Sequence, residues 1–162
     1  MLRISKMTDY AVVIATHMAA TRGPHAARDL AQETQIPEPT ASKVLKQLSR
    51  AGVVTSQRGA KGGYALARPP QQIGIHQVIE AIEGPIAVTE CADETTDSLC
   101  EYETSCGVRA NWQRINLAVH QALAQITLAD MSFPIQDTLV TLLRSSKEAD
   151  RARVTEPSGE VH

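Results

Sequence analysis

The residues best suited to chemistry are the cysteines, and all three lie within one stretch of sixteen residues. It reads Cys91-Ala92-Asp93-Glu94-Thr95-Thr96-Asp97-Ser98-Leu99-Cys100-Glu101-Tyr102-Glu103-Thr104-Ser105-Cys106. An odd number of thiols on one loop, with none elsewhere, argues against a disulfide framework and for metal ligation. Thiolates select iron–sulfur clusters or zinc among the common metals. Zinc sites commonly use closer Cys-x2–4-Cys pairs. The wider spacing Cys91-x8-Cys100-x5-Cys106 suits a bulkier cluster. Six acids (Glu90, Asp93, Glu94, Asp97, Glu101 and Glu103) solvate the stretch and leave a bound cluster within reach of oxidants. Simple solubility explains them equally well. Catalysis by these thiols is not expected, because none has a base partner in sequence and the five histidines are scattered.

The elements that must position this loop come from an ordinary aliphatic chain. At 162 residues it is long enough to bury a real core. With one Trp, three Tyr and one Phe, that core must be Leu, Ile, Val and Ala, which suits packed helices. No apolar run is long enough to cross a membrane. Met1-Leu2-Arg3-Ile4 leads into a polar, periodic segment with no secretory pattern, so a cytoplasmic location is expected. The net charge of −2 hides an asymmetry: residues 1–68 carry ten Lys/Arg against four Asp/Glu, and residues 69–162 six against fourteen. A basic module joined to an acidic one points to a polyanion as partner of the first half.

Within that basic half, Ser5 can cap a helix running through Asp9, Tyr10, Val13, Ile14, His17 and Met18 to about Thr21. Arg22-Gly23-Pro24 ends it. A second helix covers roughly Ala27 to Glu33, and Pro37 or Pro39 opens a third. That third helix places Ala41, Val44, Leu45 and Leu48 on one face and Thr40, Ser42, Lys43, Lys46, Gln47 and Arg50 on the other. Val53–Gln57 alternates as a strand and Tyr64–Ala67 returns beside it. Between them lies the basic, glycine-rich tip Arg58-Gly59-Ala60-Lys61-Gly62-Gly63. The tip lacks the Gly-Lys-Ser/Thr ending of a P-loop. Helix-turn-helix plus basic hairpin makes a winged helix, with the third helix in the major groove and the wing beside the minor groove. The fold class expected is mainly α: a winged helix-turn-helix DNA-binding domain plus a long dimerisation helix.

After Arg68-Pro69-Pro70, a short amphipathic helix shows Ile75, Val78, Ile79 and Ile82, stopped by Gly84-Pro85. From Arg109 onward Trp112, Ile115, Val119, Ala122 and Ile126 recur at helical spacing. Two-fold pairing with a second copy would cover this stripe; packing on the Ile75–Ile82 helix and on 135–143 would also do so. Met131-Ser132-Phe133-Pro134 breaks the chain before a last helix over Ile135, Leu139, Leu142 and Leu143. The expected organisation is a DNA-binding domain over 1–84, a cysteine-bearing loop over 85–108, a dimerisation helix and C-terminal helix over 109–144, and a disordered tail over 145–162.

The chain resembles the iron–sulfur-cluster-binding winged-helix transcriptional regulators of the IscR and NsrR type. The motifs that carry this are Ile4-Ser5-Lys6-Met7-Thr8-Asp9-Tyr10-Ala11, the wing Arg58–Leu66, the three-cysteine spacing and Ile126-Thr127-Leu128-Ala129-Asp130-Met131. The similarity covers about residues 1–131, and its nearest form is that of the proteobacterial regulators of the SUF cluster-assembly operon. It implies a homodimer bound to operator double-stranded DNA, with Cys91, Cys100 and Cys106 ligating a cluster whose fourth ligand is not a cysteine. Cluster-homeostasis members place a His three residues after the third cysteine. Here that position is Arg109, which cannot ligate. Nitric-oxide-sensing members borrow an Asp from the start of the partner's first helix, and the matching residue is Asp9. An acid in a first helical turn is also favoured by the helix dipole alone, and the two roles can coexist. The pattern leans toward 4Fe–4S by analogy, with 2Fe–2S the alternative.

The expected function is therefore a dimeric, non-enzymatic transcriptional regulator gated by a labile cluster, controlling SUF-type cluster-assembly genes. The alternatives are a nitric-oxide or redox-sensing repressor of the same family, and a cluster-free regulator controlled through its thiols or a protein partner. Base contacts are expected from Thr40, Ser42 and Lys43, a minor-groove contact from Arg58, and phosphate contacts from Lys46 and Lys61. Arg28 and Ser56 complete the expected DNA-facing set.

Overall fold

Apolar residues at helical spacing along the first fifty positions are realised as three helices around one aliphatic core. The computed structural model describes residues 4–21, 23–57, 59, 62–89 and 106–132. Expectations for Arg58, Lys61, Cys91, Cys100, the helix at 135–143 and the tail after 145 lie outside the described residues. The elements are α1 (Lys6–Thr21), α2 (Ala27–Thr34), α3 (Glu38–Arg50), β1 (Val54–Gln57), β2 (Gly63–Leu66), a 3-10 turn at Pro70–Gln72, α4 (Ile75–Glu83), α5 (Arg109–Ala124) and α6 (Leu128–Ser132).

Ile14, Leu30, Val44, Leu45, Leu48, Val53, Val54, Ile73, Val78 and Leu128 are fully buried and form a single cluster with Ala11, Ala15 and Ala41. The inward face expected for α3 is the buried one. Between α2 and α3 the chain turns at Gln35, whose left-handed φ of 56° is uncommon for a side chain with a Cβ. Its N–H caps α2 by reaching the carbonyls of Ala31 and Gln32, and the next N–H, of Ile36, bonds to Ala31 at 3.0 Å. Burial of Ile36 at the head of α3 secures this turn.

The wing is an antiparallel pair in the register Val54↔Leu66, Thr55↔Ala65, Ser56↔Tyr64 and Gln57↔Gly63. It is tied to the helices by His25, which exchanges backbone hydrogen bonds with Tyr64 at 2.8 Å in both directions. Gly63 makes that approach possible, since a Cβ there would stand 2.5 Å from the His25 carbonyl oxygen.

Two contacts were not legible in the local pattern. The first closes the start of α1. Ser5 caps the helix, its hydroxyl accepting from the Thr8 N–H at 3.3 Å. Glu83, the last residue of α4, then reaches back across the fold. Its carboxylate accepts the Ser5 N–H at 3.1 Å and a short hydrogen bond from the Thr8 hydroxyl. Thr8 is fully buried. Hydrogen bonding from Ser5 and then Thr8 holds the Glu83 carboxyl below the usual carboxylate range, against a smaller opposing effect of desolvation.

The second lies after α5. The chain breaks at Gln125, Gly74 bridges to Thr127, and Ile75 donates to the Ile126 carbonyl at 2.8 Å. Thr127 and Asp130 cap α6 reciprocally, the Asp130 carboxylate accepting from the Thr127 N–H at 2.8 Å and the Thr127 hydroxyl accepting from the Asp130 N–H at 3.2 Å. Leu128 is thereby inserted into the core, where α6 packs on α1.

Leu128→Ala should therefore cost about 2–5 kcal/mol in urea unfolding, the range for a fully buried leucine. A loss below about 0.5 kcal/mol would show that α6 is not docked. Because the folded-state pKa of Glu83 is depressed, its stabilisation is full above the ordinary carboxylate pKa and disappears as pH falls through the folded value. Glu83→Gln should lower the melting temperature at neutral pH and flatten the acid limb of the stability profile. An unchanged acid limb would exclude the carboxylate as the source.

Candidate nucleic-acid interface and cysteine site

The buried face of α3 dictates what its other face offers. With Ala41, Val44, Leu45 and Leu48 turned inward, Lys43, Lys46 and Arg50 are exposed and Thr40 and Ser42 are half-buried. Pro39 sits in the first turn, and the Pro37 carbonyl accepts from the N–H groups of Thr40 and Ala41 at 2.9 Å. That rigid entry presents the N-terminal turn of α3, the part of a recognition helix that reaches base edges. Among the described residues, Lys43 and Lys46 form no ion pair, leaving both ammonium groups available to phosphate. Arg28 lies exposed on α2.

Ser56 is exposed on β1, one residue from the end of the strand. The wing tip turns back through a hydrogen bond from the Gly62 N–H to the Gly59 carbonyl at 2.9 Å. The strands that deliver the tip are thus fixed in register, while Arg58 and Lys61 themselves lie outside the described residues.

The cysteine site is described at its two edges. On the N-terminal side, the Val88 N–H donates to the Asn116 side-chain carbonyl at 3.1 Å, tying the segment after α4 to α5. On the C-terminal side Cys106 is a half-buried free thiol just before α5, its carbonyl accepting from the Arg109 N–H at 3.4 Å. Arg109 opens α5. Asp9 is exposed in the first turn of α1, one residue after the buried Thr8 that Glu83 holds. Among the described residues its carboxylate takes no side-chain hydrogen bond or ion pair. The donor types described, a thiol and a carboxylate, are ones that both zinc and iron–sulfur sites use.

The stripe expected on the fifth helix is largely exposed in α5. Of its members, Trp112 and Ile115 are 36% and 45% exposed, Ala122 is exposed, Val119 is half-buried, and Ile126, just beyond the helix, is 41% exposed. The inward side is formed by Asn116, His120 and Leu123, which meet the chain after α4, α4 itself and the core. Helix α5 packs on α4 through this inward side, while packing of the stripe on 135–143 lies outside the described residues.

Sequence reading missed Glu83 and Thr8, which hold the Asp9 turn, and the pairing of His76 and Glu80 with His120 between α4 and α5. A His and a Glu four residues apart on a helix were the available sign for the second. No local pattern signals the first.

Comparison with known proteins adds identity to this geometry. Residues 4–133 match the Rrf2 family model, described as an iron-dependent transcriptional regulator. Among curated proteins, a putative HTH-type transcriptional regulator, slr0846 of Synechocystis, is 35% identical over 112 residues, covering 68% of this chain and 73% of that protein. The solved structure of CymR, the global cysteine regulator of B. subtilis, superposes with a TM-score of 0.62 at 33% identity, covering 82% of this chain and 97% of that one. IscR of T. potens superposes with a TM-score of 0.57 at 26% identity, covering 98% and 94%. These relatives are transcriptional regulators and not enzymes, and no helix among the described residues is long and apolar enough to cross a membrane. With a family model spanning most of its length and a winged helix built from its own core, the chain belongs to the Rrf2 family of transcriptional regulators.

Proposed function

We propose that this chain is a homodimeric, operator-binding regulator of the cytoplasm, gated by an iron–sulfur cluster and controlling SUF-type cluster-assembly genes. The division of labour follows the expected segments: 1–84 contacts DNA, 85–108 carries the cluster and 109–144 pairs the subunits. Cys91, Cys100 and Cys106 would hold the cluster, with Asp9 of the partner subunit as fourth ligand. When bound, the cluster supplies sensitivity to oxidants, nitric oxide and iron supply, 4Fe–4S being favoured over 2Fe–2S.

One observation carries this reading: Asp9 is an uncommitted carboxylate in a helical turn that Glu83 anchors. Glu83 ends α4, and α4 leads into the cysteine segment. Ligation at Asp9 would therefore pull on an element of the DNA-binding half. The exposed apolar residues of α5 support pairing, since a second copy docked on the stripe would remove Trp112 and Ile115 from water. In the same reading Thr40, Ser42 and Lys43 contact bases, Arg58 enters the minor groove, and Arg28, Lys46, Ser56 and Lys61 bind the phosphate backbone.

A second reading, control through the thiols without a cluster, is favoured by the higher identity to CymR than to IscR. Anaerobic purification separates the two. A brown protein with visible absorption, bleached in Cys106→Ser and weakened in Asp9→Ala, is the expected result; a colourless, iron-free protein selects thiol control. In either case Arg58→Ala should weaken operator binding by roughly 10- to 100-fold in an anisotropy titration, in line with about 1–3 kcal/mol for a specific contact. Binding at wild-type strength would remove Arg58 from the interface.

A further inference from the structure

Two imidazoles and a carboxylate meet where α4 packs on α5, and neither DNA reading nor the cysteine site uses them. His76 and Glu80 stand one helical turn apart on α4, and His120 faces them from α5. One ligand atom from each lies within 4.8 Å of the other two. The imidazole rings of His76 and His120 have centroids 4.9 Å apart, tilted by 59°. His120 Nε2 is 3.4 Å from Glu80 Oε1. That is roughly the 3.4 Å edge of a tetrahedron around a metal with bonds of about 2.0–2.1 Å.

The environment of His76 adds an independent sign. Its Nδ1 is buried and has no hydrogen-bond partner, a condition that needs a reason in a folded protein. The ring lies so close against Gly74 that a Cβ there would come within 2.5 Å of Nδ1. Gly74 in turn is fixed by its bridge to Thr127. The imidazole is therefore held in place before any ligand arrives. Burial and then the neighbouring His120 lower its pKa, with Glu80 pulling the other way. Glu80 and His120 are 33% and 39% exposed, which gives an ion a path from solvent.

We propose that His76, Glu80 and His120 form a binding site for one divalent cation of the zinc type, separate from the cysteines, that clips α4 to α5. Two nitrogens and one oxygen favour zinc, nickel or cobalt over the all-oxygen preferences of calcium and magnesium and over the thiolate preference of clusters. Three protein ligands leave one position to water. The clip has a consequence for the cysteines. Helices α4 and α5 flank the segment that carries them, so a cation joining the two fixes both ends of that segment.

The test is a zinc titration of the full-length, metal-stripped, reduced protein under anaerobic conditions, using a competing chromophoric chelator. Wild type and Cys106→Ser should share one tight equivalent, and Zn2+ should raise the melting temperature of both. In His120→Gln and His76→Gln that equivalent should weaken at least about 100-fold, beyond the effect of losing an outer-shell partner. The thermal shift should vanish with it. His120 is partly exposed, so metal-free His120→Gln should melt with the wild type, separating loss of the site from loss of the fold. Wild-type stoichiometry and affinity in both histidine variants would overturn the proposal. Loss of all tight binding in Cys106→Ser would overturn it too, by assigning the ion to the thiols.

Discussion

The Glu83 carboxylate at the head of α1 is the constraint on which the molecule turns. A helix N-terminus presents unsatisfied N–H groups and partial positive charge, and a carboxylate is the natural partner for both. Ser5 satisfies one N–H locally, and Glu83 takes the Ser5 N–H and the buried Thr8 hydroxyl from across the fold. The contact joins the first helix of the reading head to the last residue before the chain runs toward its thiols. Asp9 sits one residue beyond Thr8, so its position is set by the same anchor.

Helix α5 has two faces with separate duties. Its inner face is polar at Asn116 and His120, which engage the segment after α4 and α4 itself, and apolar at Leu123, which joins the core. Away from it, Ile115 and the partly exposed Trp112 reach solvent. Exposed large apolar groups on a helix with no fully buried residue are unusual for a surface that stays wet. The return of the chain through Thr127 and Leu128 holds the C-terminal end of α5 against the core. A subunit pairing through the stripe would thus be mechanically continuous with the winged helix.

Much of this was legible in the sequence, for identifiable reasons. Ala41, Val44, Leu45 and Leu48 announce α3 because a 3.6-residue period can bury only one face. Gly-rich basic residues between two alternating runs announce the wing, because a tight turn needs glycine and a sheet needs period two. Ser5 as a cap follows from its position before an apolar-periodic run, and it does cap α1. The failures concern contacts between distant residues. Glu83 and Thr8 are 75 positions apart, and nothing local marks either. The sequence pattern places the break after the stripe at Met131; the earlier break at Gln125 comes with Thr127–Asp130 capping and the bridge to Gly74. His120 became a neighbour of His76 only through the packing of α5 on α4.

We propose at the centre of the account a cysteine site that one chain cannot complete, finished by Asp9 of a second copy. Mixed dimers carrying Asp9→Ala on one subunit and Cys106→Ser on the other test this directly, by anaerobic iron and sulfide content and visible absorption. Ligation across subunits predicts that such dimers regain about half the wild-type cluster, because one site has intact cysteines facing an intact Asp9. Ligation within one chain leaves a defect in each site. Mixed dimers with no more cluster than the single-variant homodimers would contradict the account.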